Sequence, residues 1–180
     1  MTRYIALLRG INVGGKNKIA MVDLKVAFEK RGFQNVATYI NSGNVIFDSD
    51  LEKTDVRNTC EKLILEDFGL DITTYVISAS ELTEALRFSP SWWNNAPHTR
   101  HDVFFVIPPM TATKLCAHVG EIKKEYEKLA HYGELIFWST SMDVFSKTRW
   151  SKISQDKEAY STITVRNANT VLKLAELAKR

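Results

Sequence analysis

The chain alternates short apolar runs with longer amphipathic stretches, and that alternation predicts the elements. Residues 3–9 read as a buried strand, because Tyr4 to Leu8 is apolar without interruption and too short for a helix. Met21, Leu24, Ala27 and Phe28 then fall on one helical face, and Gly32 stops that helix. Val36 to Ile40 and Asn44 to Asp48 are strands joined through Ser42-Gly43, a hairpin signal. A long helix follows, with Val56, Cys60, Leu63, Ile64 and Phe68 as its stripe, Ser49 or Asp50 as its cap and Gly69 at its end. Ile72 to Ile77 returns as a β-branched strand, and Ser80 is the expected cap of a short helix carrying Leu82, Ala85 and Leu86. The order β-α-β-β-α-β within the first half is that of a ferredoxin-like, split βαβ unit.

Phe88 to Arg100, with Pro90, Pro97 and Trp92-Trp93, interrupts the periodicity and reads as a connector. The pattern then starts over. Asp102 to Ile107 is a second apolar strand, Pro108-Pro109 breaks it, and a helical region extends from about Thr111 to Lys124. Tyr126 to Ala130 and Glu134 to Ser139 form a hairpin around Gly133, where HYGELIF echoes the NSGNVIF of the first half. Ser146 to Ile153 has helical character, Ile163 to Val165 is a short strand, and Asn167 or Asn169 caps a last helix. The fold class is therefore α+β, a ferredoxin-like half followed by a second, less regular copy. The domains implied are residues 1–88, a connector 89–101, and residues 102–180.

Composition narrows the class without naming a function. Apolar residues make up 44% and charged residues 25% of the 180 residues, the balance of an ordinary globular chain that buries about 70% of its unfolded surface. A net charge of +3 is too small to mark a nucleic-acid binder by itself. The N-terminal apolar run breaks at Arg9, too early for a signal peptide, and no run approaches the roughly 18 apolar residues of a membrane span. Cys60 and Cys116 lack CxxC spacing and suit a reducing compartment, so a cytoplasmic protein without membrane contact is expected.

The densest candidate chemistry is YIALLRGINVGGKNK, Tyr4 to Lys18, where a strand feeds a glycine-rich basic loop able to present N–H groups to an anion. Gly10 to Lys16 fits GxxxxGK, but the next position is Asn17 where Mg²⁺ chemistry needs Ser or Thr, and the helix starts only near Met21. Two readings stay open: the glycines serve a tight loop with its lysines in water, or the loop is a non-Walker anion site formed by Arg9, Asn12, Gly14, Gly15, Lys16 and Lys18, with the turn residues Asn41, Ser42 and Asn44 as neighbours. Arg166 and Asn167 set a cation and an amide at a helix start, a second place favourable to an anion. His98 and His101 would hold a metal only if a carboxylate such as Asp102 joined them, and no metal or cofactor is predicted.

Three stretches, ALLRGINVGGKNK, TYINSGNVIF and ITVRNANTVLKL, resemble a bacterial family catalogued as a domain of unknown function. The likeness runs over nearly the whole chain, with Ala168 standing where many members carry Trp. It implies a soluble α+β protein of about this length and supplies no activity or catalytic residues. The functional expectation is therefore an anion-binding module for a phosphorylated small molecule, a nucleotide or, on weaker grounds, a nucleic-acid backbone. The alternatives are an enzyme acting on a phosphate-bearing substrate and a self-associating or protein-binding domain using an open sheet face or Trp92-Trp93.

Overall fold

The computed structural model describes Met1–Lys179, in which eight strands form two four-stranded antiparallel sheets accompanied by six α-helices. The chain divides into two compact units, one comprising Met1–Thr83 together with the chain from Leu172 onward, the other Glu84–Val171.

In the first unit, β1 (Thr2–Leu8), β2 (Gln34–Tyr39), β3 (Asn44–Ser49) and β4 (Thr74–Ser78) are arranged in the order β2-β3-β1-β4. This is the order a split β-α-β-β-α-β unit requires, with β1 between β3 and β4. Helices α1 (Met21–Lys30) and α2 (Lys53–Phe68) lie on one face, where Leu24, Phe28, Cys60 and Leu63 pack on Tyr4, Ala6, Leu8 and Phe47. The rings of Phe28, Phe33 and Phe47 lie 4.5–5.5 Å apart, and burial of each contributes about 1.5–3 kcal/mol.

The second unit repeats the plan. Strands β5 (Thr99–Val106), β6 (Glu127–Tyr132), β7 (Leu135–Ser141) and β8 (Ile163–Asn167) adopt the corresponding order β6-β7-β5-β8. Its core sets Ala112 and Leu115 of α4 (Ala112–Val119), Trp150 and Ile153 of a 3₁₀ turn, and Ala159 of α5 (Lys157–Ser161) against Phe104, Ile136 and Trp138. One buried carboxylate ties these parts together. Glu127 Oε1 accepts the N–H groups of Lys123 (3.0 Å) and Arg149 (2.7 Å), and Oε2 accepts Trp138 Nε1–H (2.8 Å) and Trp150 N–H (3.1 Å).

Several local expectations need correction. The helix expected over 111–124 ends at Val119, because Gly120 takes φ +88° and the following backbone turns toward Glu127. The helical reading of 146–153 resolves into 3₁₀ turns at Met142–Lys147 and Trp150–Gln155. Strand β5 begins at Thr99, inside the stretch read as connector. Helix α2 is preceded by Glu52 rather than capped by Ser49 or Asp50, since Ser49 Oγ accepts Leu51 N–H before the helix starts. For α3 (Ala79–Arg87) the cap is Ser78, not Ser80: Ser78 Oγ accepts Glu81 N–H while Glu81 Oε2 accepts Ser78 N–H, a reciprocal capping box. The last helix, α6 (Ala168–Leu177), is capped by Asn167, whose Oδ1 accepts Thr170 N–H at 2.9 Å.

Candidate functional site

The loop leaving β1 is closed by side-chain amides. Asn12 sits at φ +54°, and its Oδ1 accepts Ile19 N–H (2.8 Å) while its Nδ2 donates to the carbonyls of Ile19 and Asn41 (2.9 Å each). Asn17 Nδ2 donates to Gly10 O (3.0 Å), and Asn17 O accepts Asn12 N–H (3.1 Å). The position that fails the phosphate-loop pattern therefore has a structural task. Between these clamps Gly14 and Gly15 take φ +57° and +75° with open space where a Cβ would stand, so conformation rather than crowding calls for glycine there. The N–H groups of Gly14 and Gly15 make no hydrogen bond among the described residues.

The structure brings the hairpin turn to this loop. Leu8 N–H donates to Gly43 O (2.8 Å), and Asn12 reaches Asn41 O. Gly43, at φ +81°, approaches so closely that a Cβ would lie 2.8 Å from Leu8 and Ile11. Asn44 is fully buried and spends its Nδ2 on Tyr39 O and Ser42 Oγ. Arg9, half-buried, carries the strand one residue further by donating its N–H to Thr73 O.

A cleft of about 380 Å³ opens at this junction, lined by Asn12, Gly15, Lys18, Ile19, Ala20 and Asn41. Helix α1 starts at its edge. Its N-cap is Ala20, which makes no side-chain cap hydrogen bond, so the first-turn N–H groups are served by no capping side chain. The corresponding helix of the second unit differs, because Thr111 Oγ1 accepts Lys114 N–H and caps α4. Lys16 and Lys18 are exposed and make no ion pair among the described residues; Lys18 lines the cleft and Lys16 does not.

Arg166 and Asn167 belong to the second unit. Arg166 is buried in β8, its Nη1 donating to Thr164 Oγ1 and Val165 O (2.9 Å each), and burial pushes its guanidinium pKa down to about 10. Asn167 lines a different cleft of about 460 Å³, with Thr99, Arg100, His101, Asp102 and Asn169. There Arg100 Nε donates to Asp102 Oδ2 (2.6 Å) and the Arg100 guanidinium lies 5.1 Å from the Phe145 ring centre. Burial pushes the Asp102 carboxyl above its ordinary range, opposed by Arg100. Both His101 nitrogens are engaged, Nδ1 with Ser139 Oγ (2.6 Å) and Nε2, whose N–H donates, with Ala96 O (3.3 Å). Among the described residues no three His, Cys, Asp or Glu side chains are grouped to hold a metal ion. Arg100 is not among the residues the sequence marks for binding, and Asp102 is marked only as a conditional metal ligand, though their i,i+2 spacing puts them on one face.

Comparison with known proteins gives a family and a close fold relative. A family model described as "Protein of unknown function (DUF1697)" matches residues 1–137. Among solved structures the chain is similar to conserved bacterial protein SP0830 from Streptococcus pneumoniae, with 32% identity, a TM-score of 0.87, and 98% of each chain covered. No curated protein matches it. With most of its length matched by that model, the chain belongs to the DUF1697 family.

Proposed function

We propose that this protein is an anion-binding module whose ligand, a phosphorylated small molecule or a nucleotide, sits in the cleft between the Gly10–Lys18 loop and the Asn41–Asn44 turn. The observation that carries the reading is the start of α1, which opens at this cleft with no side-chain cap and with Lys18 on the lining. Its first-turn N–H groups carry the positive end of the helix dipole, worth about 0.3–1 kcal/mol toward an anion at an exposed site. The N–H groups of Gly14 and Gly15 and the ammonium of Lys16 add further positive potential on the same loop. Asn12, Asn17 and Asn44 act by holding the loop and turn in place. None of the lining residues is a carboxylate, histidine, serine or cysteine, which supports binding over catalysis in this cleft. No helix among the described residues is long and apolar enough to cross a membrane, and the free thiols Cys60 and Cys116 support placement in the reducing cytoplasm.

Isothermal titration with phosphate, pyrophosphate and nucleoside di- and triphosphates tests the reading. The expected result is binding that weakens as salt rises and falls roughly tenfold or more in Lys16→Ala/Lys18→Ala, with the variant's melting temperature unchanged. Affinity for every anion unaffected by that double substitution, or no anion bound at all, overturns it.

A further inference from the structure

The second unit contains a cleft whose chemistry differs from that of the loop. Its lining includes Asp102, whose side chain is 3% exposed and whose Oδ2 is taken by Arg100. Oδ1 makes no hydrogen bond among the described residues. The ion pair is already neutral, so a second cation at Oδ1 would meet the guanidinium, and an anion would meet the carboxylate. What fits Oδ1 is an uncharged N–H donor.

The β5–β8 register places the complementary groups beside it. Asp102 is the cross-strand partner of Asn167, which sets their side chains on the same face about 5 Å apart at Cβ. Asn167 Oδ1 is occupied by Thr170 N–H, which leaves Nδ2 as a donor; this NH₂ group makes no hydrogen bond among the described residues. Asn169 offers a second side-chain amide on the same lining. A ligand therefore has to present an N–H to Asp102 and, next to it, a carbonyl oxygen to Asn167. Adjacent N–H and C=O on one rigid edge is the lactam edge of guanine, hypoxanthine or uracil. A cleft of about 460 Å³ falls within the range of small-molecule sites.

We infer that this cleft binds an uncharged cyclic amide of the nucleobase class, with Asp102 reading its N–H and Asn167 its carbonyl. The site shares no residue with the loop cleft and takes a ligand without phosphate, so either assignment can fail alone.

The experiment titrates the full-length protein with guanosine, inosine and uridine, and with 1-methylguanosine, 1-methylinosine and 3-methyluridine, whose methyl groups remove the N–H. The expected result is binding of at least one parent nucleoside, weakened roughly tenfold or more by its N-methyl counterpart and likewise by Asp102→Asn. The methylated ligands test the wild-type protein directly, so they decide the matter even where Asp102→Asn fails to fold. Equal binding of parent and methylated nucleosides overturns the inference, as does no binding at millimolar ligand. Binding lost in Lys18→Ala but retained in Asp102→Asn assigns the base to the loop cleft and also overturns it.

Discussion

Glu127 offers the sharpest test of how the second unit is held. Its carboxylate is 2% exposed and accepts four N–H donors, from Lys123, Trp138, Arg149 and Trp150, with no cation in hydrogen-bonding contact. Two of those donors, Arg149 and Trp150, open the 3₁₀ turn Trp150–Gln155 and would otherwise be orphaned. Glu127→Gln keeps the shape but leaves one acceptor oxygen, and turns an NH₂ group toward donors that already point inward. Two buried N–H groups lose their acceptor at roughly 1–3 kcal/mol each, so the substitution should cost about 4 kcal/mol. That is a large fraction of the roughly 5–15 kcal/mol that stabilises a domain, and corresponds to a fall of about 8–16 °C in Tm. The assay is urea unfolding followed by tryptophan fluorescence, with the indole N–H of Trp138 as a local reporter by NMR. Glu125→Gln, exposed two residues earlier, is the control and should stay within about 0.5 kcal/mol of wild type. A Glu127→Gln cost under about 1 kcal/mol with an unmoved Trp138 resonance would refute the account.

Two further outcomes follow from local geometry. Gly43→Ala must adopt a positive φ and push a Cβ into Leu8 and Ile11 at 2.8 Å, whereas Gly14→Ala meets only the conformational cost. Urea unfolding should place the first at about 2–4 kcal/mol and the second near 1 kcal/mol, and equal costs would remove the close approach from the argument. Burial pushes both thiols above their ordinary range, much further for Cys60, at the centre of the first core, than for the half-buried Cys116. Iodoacetamide on the native protein at pH 8 should therefore alkylate Cys116 slowly and leave Cys60 unmodified until denaturant is added. Peptide mass spectrometry showing both modified at one rate would contradict this.

The elements were legible where burial follows local periodicity. Leu24, Ala27 and Phe28, or Val56, Cys60 and Leu63, announce a helix because their spacing alone puts them on one face. The repeat was legible through its two glycine hairpins, and both sheets adopt the strand order it implied. Caps were less so, because Ser78 and Ser80 offer the same hydroxyl and only the spacing to Glu81 separates them. The candidate site was legible as a loop and a neighbouring turn, which do meet. Which of its polar residues face a ligand was not legible. Asn12 and Asn44 look like binding groups in the sequence, yet their amides are engaged by carbonyls as far as 29 positions away. Glu127 was not legible for the converse reason, since it sits in a polar stretch and only tertiary packing takes its carboxylate out of water.

The bivalent grip of Asn12 also governs how the loop can move. One amide holds both Ile19, at the approach to α1, and Asn41, in the hairpin turn. The loop cannot swing as a flap without breaking several hydrogen bonds together and dragging the turn with it. Its conformational entropy is thus surrendered during folding instead of at the moment of association, so a ligand meets a stiff receptor and owes little for ordering it. The same bonds keep this loop from folding over the cleft as a lid.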